Sequence, residues 1–262
     1  MTSRTFGPAL GLVAAGFLAA AQPALAQDKL KLAVGQRGNW DTSVSEVGQR
    51  AGIFKKHGLE LEIVYTQGAG ETQQAAISGG VDIGVAAGIM GVLSAYSKGA
   101  PVRIISAETT GANDLYWYVK EDSPIKSLKD FKGIKFRCGG FAGKVVERIG
   151  GVPQNIPGGE IYQALEKGTL DACEWVGPYD DEKLGFNKVA KYYYYPGWWE
   201  GGPALHFFCN TKSYDALPPD FKAALRAGCA EGNTYMMAKY DAQNPAALRR
   251  LVAGGTQLRP FS

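Results

Sequence analysis

The residues of this chain best suited to chemistry are an arginine, two acids and two tryptophans. Arg137 stands directly before Cys138-Gly139-Gly140, where two glycines would let a ligand approach the backbone closely. A guanidinium offers a rigid planar fork that matches a carboxylate in bidentate fashion. Glu174 is followed at once by Trp175. A carboxylate beside an anion-binding arginine would repel the anion unless a cation stood between them, and hard cations take oxygen ligands. Glu200 follows Trp198-Trp199, and Trp40 lies in the stretch 36–42 after the first predicted strand. Gly68-Ala69-Gly70-Glu71 falls at a predicted helix start, where amide donors favour anions. Other chemistries lack their residues. The two histidines, His57 and His206, are too few for a histidine-based zinc site, no CxxC occurs, and no serine sits in a GxSxG elbow. Residues 139–145 do not form a phosphate-binding loop, because Lys144 is followed by valine and the glycine spacing is short.

These residues are carried by short apolar runs that alternate with helical patterns, the rhythm of an α/β protein. Residues 30–34, 59–65, 81–86 and 102–107 read as strands, with helices at 70–78 and 89–98. Ser43 and Glu46 have the spacing of a capping box, which predicts a first helix with Val44, Val47 and Ala51 on its apolar face. Such βα units predict a mainly parallel sheet. Ser123-Pro124 breaks the pattern, and a second set follows with strands at 134–138, 172–175, 192–195 and 204–210 and helices at 143–149 and 160–167. Pro218-Pro219 opens a long helical pattern to about residue 240. Asn244-Pro245 predicts the N-cap and first position of a separate short helix.

Two segments repeat without a gap. Residues 70–82 and 159–171 share Gly70/Gly159, Glu71/Glu160, Gln74/Gln163, Ala75/Ala164, Gly79/Gly168 and Asp82/Asp171. Each copy is a helix with an acid at its positive end, stopped by glycine and followed by a strand entered through aspartate. The repeat predicts two lobes of similar build on either side of about residue 120. Ligands of open α/β sheets bind beyond the carboxyl ends of strands, so residues 86–88 and 174–177 should face one cleft.

Composition narrows the partners. The chain has 262 residues with 20% charged and 45% hydrophobic, and 28 Lys and Arg against 25 Asp and Glu leave a net charge of +3. No basic run or groove accompanies the aromatic cluster at 192–199, so nucleic acid is excluded as a partner and the aromatics are expected to fill core and cleft wall. An apolar stretch at 9–21 follows Arg4 and leads to Ala24-Leu25-Ala26, the pattern of a Sec signal peptide spanning residues 1–26. Export places the protein in the periplasm. Cys138, Cys173, Cys209 and Cys229 allow three pairings, but their apolar settings favour buried thiols. The expected division is a signal peptide at 1–26, a first lobe at 27–119, a second lobe at 120–210 and a helical segment at 211–262 that returns to the first lobe.

A split family resemblance attaches to these residues. Residues 29–132 resemble the substrate-binding proteins of ABC importers in the nitrate, sulfonate, taurine and thiamine-precursor group, through Ala51-Gly52-Ile53-Phe54-Lys55-Lys56-His57-Gly58, Gly79-Gly80-Val81-Asp82-Ile83-Gly84 and Lys98-Gly99-Ala100-Pro101-Val102. Residues 130–262 resemble the DctP-type binding proteins of TRAP transporters, closest to their 2-oxo acid and monocarboxylate branch. The carriers are Phe131-Lys132-Gly133-Ile134-Lys135-Phe136-Arg137, Pro157-Gly158-Gly159-Glu160-Ile161-Tyr162, Asp171-Ala172-Cys173-Glu174-Trp175-Val176-Gly177-Pro178 and the run from Tyr192 to Pro203.

The resemblance implies a two-lobed periplasmic binding protein fold of type II, C-terminally truncated because the closing helices of a TRAP binding protein would follow Ser262. It implies that Arg137 binds the carboxylate of a small organic anion, and that Glu174 with Trp175 holds a sodium or calcium ion bridging to the ligand. Trp175, Glu200 and Trp40 are expected as further ligand contacts. The partners implied are the membrane subunits of a TRAP system, or of an ABC system for a sulfonate, nitrate or pyrimidine-like solute. No catalytic cofactor and no reaction are expected. An enzyme like the thiamine-pyrimidine synthases, which share the fold, would carry clustered cysteines and no signal peptide, the reverse of this chain. A hybrid that binds nothing stays open as an alternative.

Overall fold

The computed structural model describes residues 28–110, 116–120, 122, 125, 128–199 and 202–261. The expected signal peptide at 1–26 and Glu200 lie outside them. The first half of the chain runs β1 (Asp28–Gly35), α1 (Trp40–Arg50), α2 (Ile53–Lys56), β2 (Leu59–Thr66), α3 (Ala69–Ile77), β3 (Ile83–Gly88), α4 (Ile89–Ser97) and β4 (Val102–Thr110). The second runs β5 (Trp117–Val119), β6 (Lys135–Arg137), α5 (Gly140–Arg148), β7 (Val152–Gln154), α6 (Gly158–Glu166), β8 (Ala172–Glu174), α7 (Pro178–Leu184) and β9 (Tyr192–Tyr195). Then come β10 (Ala204–Asn210), α8 (Thr211–Ala216), α9 (Pro219–Ala253) and β11 (Gln257–Pro260).

The strands form two sheets, ordered β2-β1-β3-β10-β4 and β11-β9-β5-β8-β6-β7. The βα units give parallel pairs as expected, β1 with β2 and β3, and β6 with β7 and β8. Each sheet also holds one strand that runs against its neighbours, β10 in the first and β5 in the second. The sheets therefore divide the chain elsewhere than at residues 119 and 210. Residues 117–119 belong to the second sheet, residues 204–210 to the first, and β11 brings the C-terminal segment back to the second. The reason is directional: parallel strands end on the cleft side, so a chain crossing from one lobe enters the next sheet from that side and runs antiparallel.

The repeated segments take the same form in both lobes. Gly79 and Gly168 adopt φ of 76° and 73°, the left-handed conformation that ends each helix. Asp82 then accepts the Lys31 amide of β1 at 2.9 Å, and Asp171 accepts the Lys135 amide of β6 at 2.8 Å. The shared aspartate thus fixes the strand beside its own. In the second sheet, alternation sends Trp117 into a core with Phe131, Phe136 and Trp199, and Tyr118 into another with Ile161, Leu165, Phe186 and Tyr193. Cys138, Cys173, Cys209 and Cys229 are all buried.

Two local expectations change. Helix α1 starts at Trp40 rather than at Ser43, whose hydroxyl instead bonds back to the Asn39 carbonyl inside the helix, while Glu46 takes Tyr65 and Arg50. The α1 start is capped from the other lobe, since Asp180 accepts the Trp40 amide at 3.0 Å. Asn244 does not begin a new helix, because α9 runs through Pro245. Its side chain accepts the Tyr179 amide of α7 at 2.9 Å, so it caps a different helix. Among the described residues, no helix is long and apolar enough to cross a membrane.

Strand β4 carries a bulge, with Ala107 opposite His206 and Thr109 opposite Leu205, which leaves Glu108 as the additional residue. Glu108 is fully buried and accepts the Ala86 amide at 2.7 Å, while its other oxygen has no hydrogen bond among the described residues. Burial, and secondarily the Asp41 charge, push this carboxyl well above the usual carboxylate range. A proton held more tightly in the fold than in the unfolded chain stabilises at low pH, and that stabilisation is lost as pH rises toward the folded pKa. Glu108→Gln should therefore raise the melting temperature at pH 8, by about 2–4 °C per kcal/mol recovered, and leave it unchanged at pH 5. Melting curves across that range provide the check, and equal gains at both pH values would contradict a protonated Glu108.

Candidate functional site

Arg137 is the last residue of β6 and pairs with Cys173 of β8, which places Glu174 and Trp175 immediately beside it at the carboxyl ends of parallel strands. Its Nε donates to the Ile156 carbonyl at 3.1 Å and its Nη1 to the Glu174 carbonyl at 2.9 Å. The Glu174 carboxylate lies 3.7 Å from Nη1, and the two side chains are only 12% and 9% exposed. The guanidinium carbon sits 4.6 Å from the centroid of the Trp175 ring, a cation–π contact that fixes its plane. Part of the expected fork is thus spent on the second lobe itself. Among the described residues Nη2 has no hydrogen bond, and it is the donor left for an incoming oxygen.

The loop after Glu174 is held from beneath by Asp181, fully buried, which accepts the Val176 and Gly177 amides at 3.3 and 3.2 Å and the Tyr193 hydroxyl at 2.7 Å. Burial pushes the Asp181 carboxyl well up despite these donors. Its neighbour Asp180, also fully buried, accepts the Trp40 amide at 3.0 Å, the Lys183 ammonium at 3.0 Å and the Tyr240 hydroxyl at 2.7 Å. That carboxylate joins α1 of the first lobe, α7 of the second and the long helix α9.

The first lobe reaches the same loop through Gln36 and Asn39, residues of the stretch 36–42 that the sequence marks only by its position after a strand. The Trp175 indole donates to Asn39 Oδ1 at 3.4 Å. A Cβ placed on Gly158 would lie 2.4 Å from Trp175 Cη2 and 2.7 Å from Gln36 Oε1, so the two side chains meet over a residue that has none. Gly158 belongs to the stretch that carries the second resemblance, but its partner Gln36 has no local signal beyond its place after a strand. Trp40 is not brought to Arg137. Because α1 begins there, its ring turns into a cluster with Val44, Val176, Met236 and Tyr240, edge-on to Tyr235 at 5.7 Å and 5.0 Å from the Lys239 ammonium. It is an inter-lobe packing residue.

No group of three His, Cys, Asp or Glu side chains suited to a metal occurs among the described residues. The donors at hand are the Glu174 carboxylate and main-chain carbonyls, with no thiolate or imidazole. That oxygen-only set fits a hard cation whose coordination is completed by solute oxygens or water, and does not fit a structural zinc.

The model of the family "Bacterial extracellular solute-binding protein, family 7" matches residues 103–262, and the model "NMT1/THI5 like" matches residues 43–149. A monocarboxylate 2-oxoacid-binding periplasmic protein of Nostoc is 51% identical over 156 residues, which cover 60% of this chain and 42% of that protein. A C4-dicarboxylate-binding periplasmic protein of Rhodobacter capsulatus is 30% identical over 139 residues, 52% of this chain and 40% of that protein. The chain spans about two fifths of the length of these relatives. A solved TRAP transporter solute-binding protein of Bordetella bronchiseptica, with calcium and picolinate, superposes with a TM-score of 0.73 at 34% identity, covering 89% of this chain and 80% of that one. One from Colwellia psychrerythraea, with calcium and pyruvate, gives 0.73 at 26% identity, covering 89% and 82%. The two-lobed binding fold is common to all of these structures.

Proposed function

Since the chain belongs to the bacterial extracellular solute-binding protein family 7, we propose that it captures a small monocarboxylate of the 2-oxo acid class between its lobes and delivers it, in the periplasm, to a TRAP-type membrane importer. It catalyses no reaction. The observation that carries this reading is Arg137, held nearly buried at a strand end over Trp175 with Glu174 beside it. A carboxylate solute would take the Nη2 donor, and displacement of water from such a site strengthens the charge-assisted hydrogen bond.

Charge balance supports an ion. Glu174 and a monocarboxylate contribute two negative charges and Arg137 one positive, so a single sodium neutralises the set and a calcium leaves one positive charge. Glu174, through its carboxylate, and Trp175, through its carbonyl, are the residues that would hold the ion, which supplies electrostatic attraction for the solute. The similarity of residues 43–149 to the NMT1/THI5-like family favours a second reading, a solute of the ABC-importer type such as a sulfonate or pyrimidine.

Titration calorimetry of the folded protein against pyruvate, taurine and a hydroxymethylpyrimidine, with calcium, with sodium and after chelation, separates the two. Pyruvate should bind only with an ion present, and Glu174→Gln should remove the ion dependence together with most of the affinity. Equal pyruvate affinity in thoroughly metal-depleted buffer would refute the bridging ion, and binding of taurine or the pyrimidine alone would replace the first reading by the second.

A further inference from the structure

The first lobe meets the Arg137 wall with carboxamides. Gln36 follows β1 with φ of 52°, the left-handed region that a non-glycine residue adopts only where its surroundings hold it, and its amide donates to the Thr66 carbonyl at 3.1 Å. This turn directs the Gln36 side chain across the cleft onto Gly158 and Trp175. Asn39, buried, receives the Trp175 indole, and Gln67 Oε1 lies 3.8 Å from where a Cβ on Gly159 would stand. The nearby cation Arg37 is exposed and engaged elsewhere, with its guanidinium carbon 4.0 Å from the centroid of the Tyr65 ring. The Gln36 Nε2 makes only a long contact of 3.5 Å to the Arg37 carbonyl, so its donor is readily given up.

We infer that Gln36 is the specificity-determining residue of the first lobe: its carboxamide, which now turns Oε1 to Gly158 and Nε2 to the Arg37 carbonyl, rotates about its last torsion to donate its N–H to the neutral oxygen of a solute whose one carboxylate sits on Arg137. The inference rests on the carboxylate reading of Arg137 proposed above. A carboxamide satisfies a keto oxygen but cannot neutralise a second carboxylate, and a charge buried without a partner is strongly disfavoured. The site therefore selects solutes with a single carboxylate and rejects the same acid extended by a second one, as sites built around hydrogen bonds reject solutes that leave a buried group unpaired.

The test uses the full chain in calcium buffer, with pyruvate and 2-oxoglutarate titrated into the wild type, Gln36→Lys and Gln36→Gly. Glycine tolerates the left-handed turn, so Gln36→Gly folds even if the lysine variant does not, and thermal melts confirm the fold of each. The wild type should prefer pyruvate by tenfold or more. Gln36→Lys should shift the ratio toward 2-oxoglutarate by about tenfold, and Gln36→Gly should weaken pyruvate by about tenfold, the loss of one well-placed hydrogen bond. Pyruvate affinity within twofold of wild type in Gln36→Gly, or an unchanged ratio in a folded Gln36→Lys, overturns the inference while the carboxylate reading stands. Failure of the folded wild type to bind either oxo acid overturns both.

Discussion

Arg137→Ala is expected to lose binding of pyruvate and related 2-oxo acids by about thirtyfold to several-thousandfold, the equivalent of ~2–5 kcal/mol for removing one partner of a desolvated charge pair. Three contributions act together. The solute carboxylate loses its donor, the Glu174 carboxylate loses the cation 3.7 Å away, and the Ile156 and Glu174 carbonyls lose the donors that hold two loops in place. Arg137→Lys keeps the charge without the planar fork, so it cannot serve both carbonyls and a solute at once, and its affinity should fall between the other two. Calorimetry on the three proteins, with circular dichroism to confirm folding, is the measurement. Equal affinity in all three would place the carboxylate site elsewhere.

Asp180→Ala should be strongly destabilising. Among its partners, the Trp40 amide loses its acceptor at a cost of about 1–3 kcal/mol, and the Tyr240 hydroxyl loses its 2.7 Å bond to Oδ2, which adds to the loss. The Lys183 ammonium is 38% exposed and can turn to water, so it adds little. Asp180→Asn keeps one oxygen to accept the Trp40 amide while its NH2 can only donate to the Tyr240 hydroxyl oxygen, so it should recover part of the loss. Because Asp180 connects α1 to α7 and α9, the alanine variant should also weaken pyruvate binding through the displaced Asn39 and Gln36. A melting temperature within 2 °C of wild type for Asp180→Ala would show that the three elements are held together by packing alone.

The βα order and the two repeated helix–strand units were legible in the chain because their signals are local: a periodic apolar pattern, a glycine stop, and an aspartate directly before a strand. The placement of Arg137 and Glu174 near strand ends was legible for the same reason, and the structure puts each as the last residue of its strand. What was not legible depends on contacts between distant residues. The start of α1 is fixed by Asp180, 140 positions away, so the nearer Ser43–Glu46 pair gave a false start. Trp40, at that start, packs its ring in the cluster against α9. Asn244-Pro245 has the form of a helix start, yet Asn244 caps α7, 65 positions earlier. The carboxamides of Gln36 and Asn39 acquire meaning only when the second lobe supplies Gly158 and Trp175.

Because β10 stands between β3 and β4, strand β4 has no partner in its own sheet until residues 204–210 have left the ribosome. At about 5–20 residues per second, the interval from the end of β4 to the start of β10 lasts roughly 5–20 s. Throughout it, the nascent chain carries an unpaired strand edge of the kind that pairs readily with other chains. The lobe that begins the chain is completed by residues translated after most of the second lobe, so the two halves reach the native state together instead of in succession.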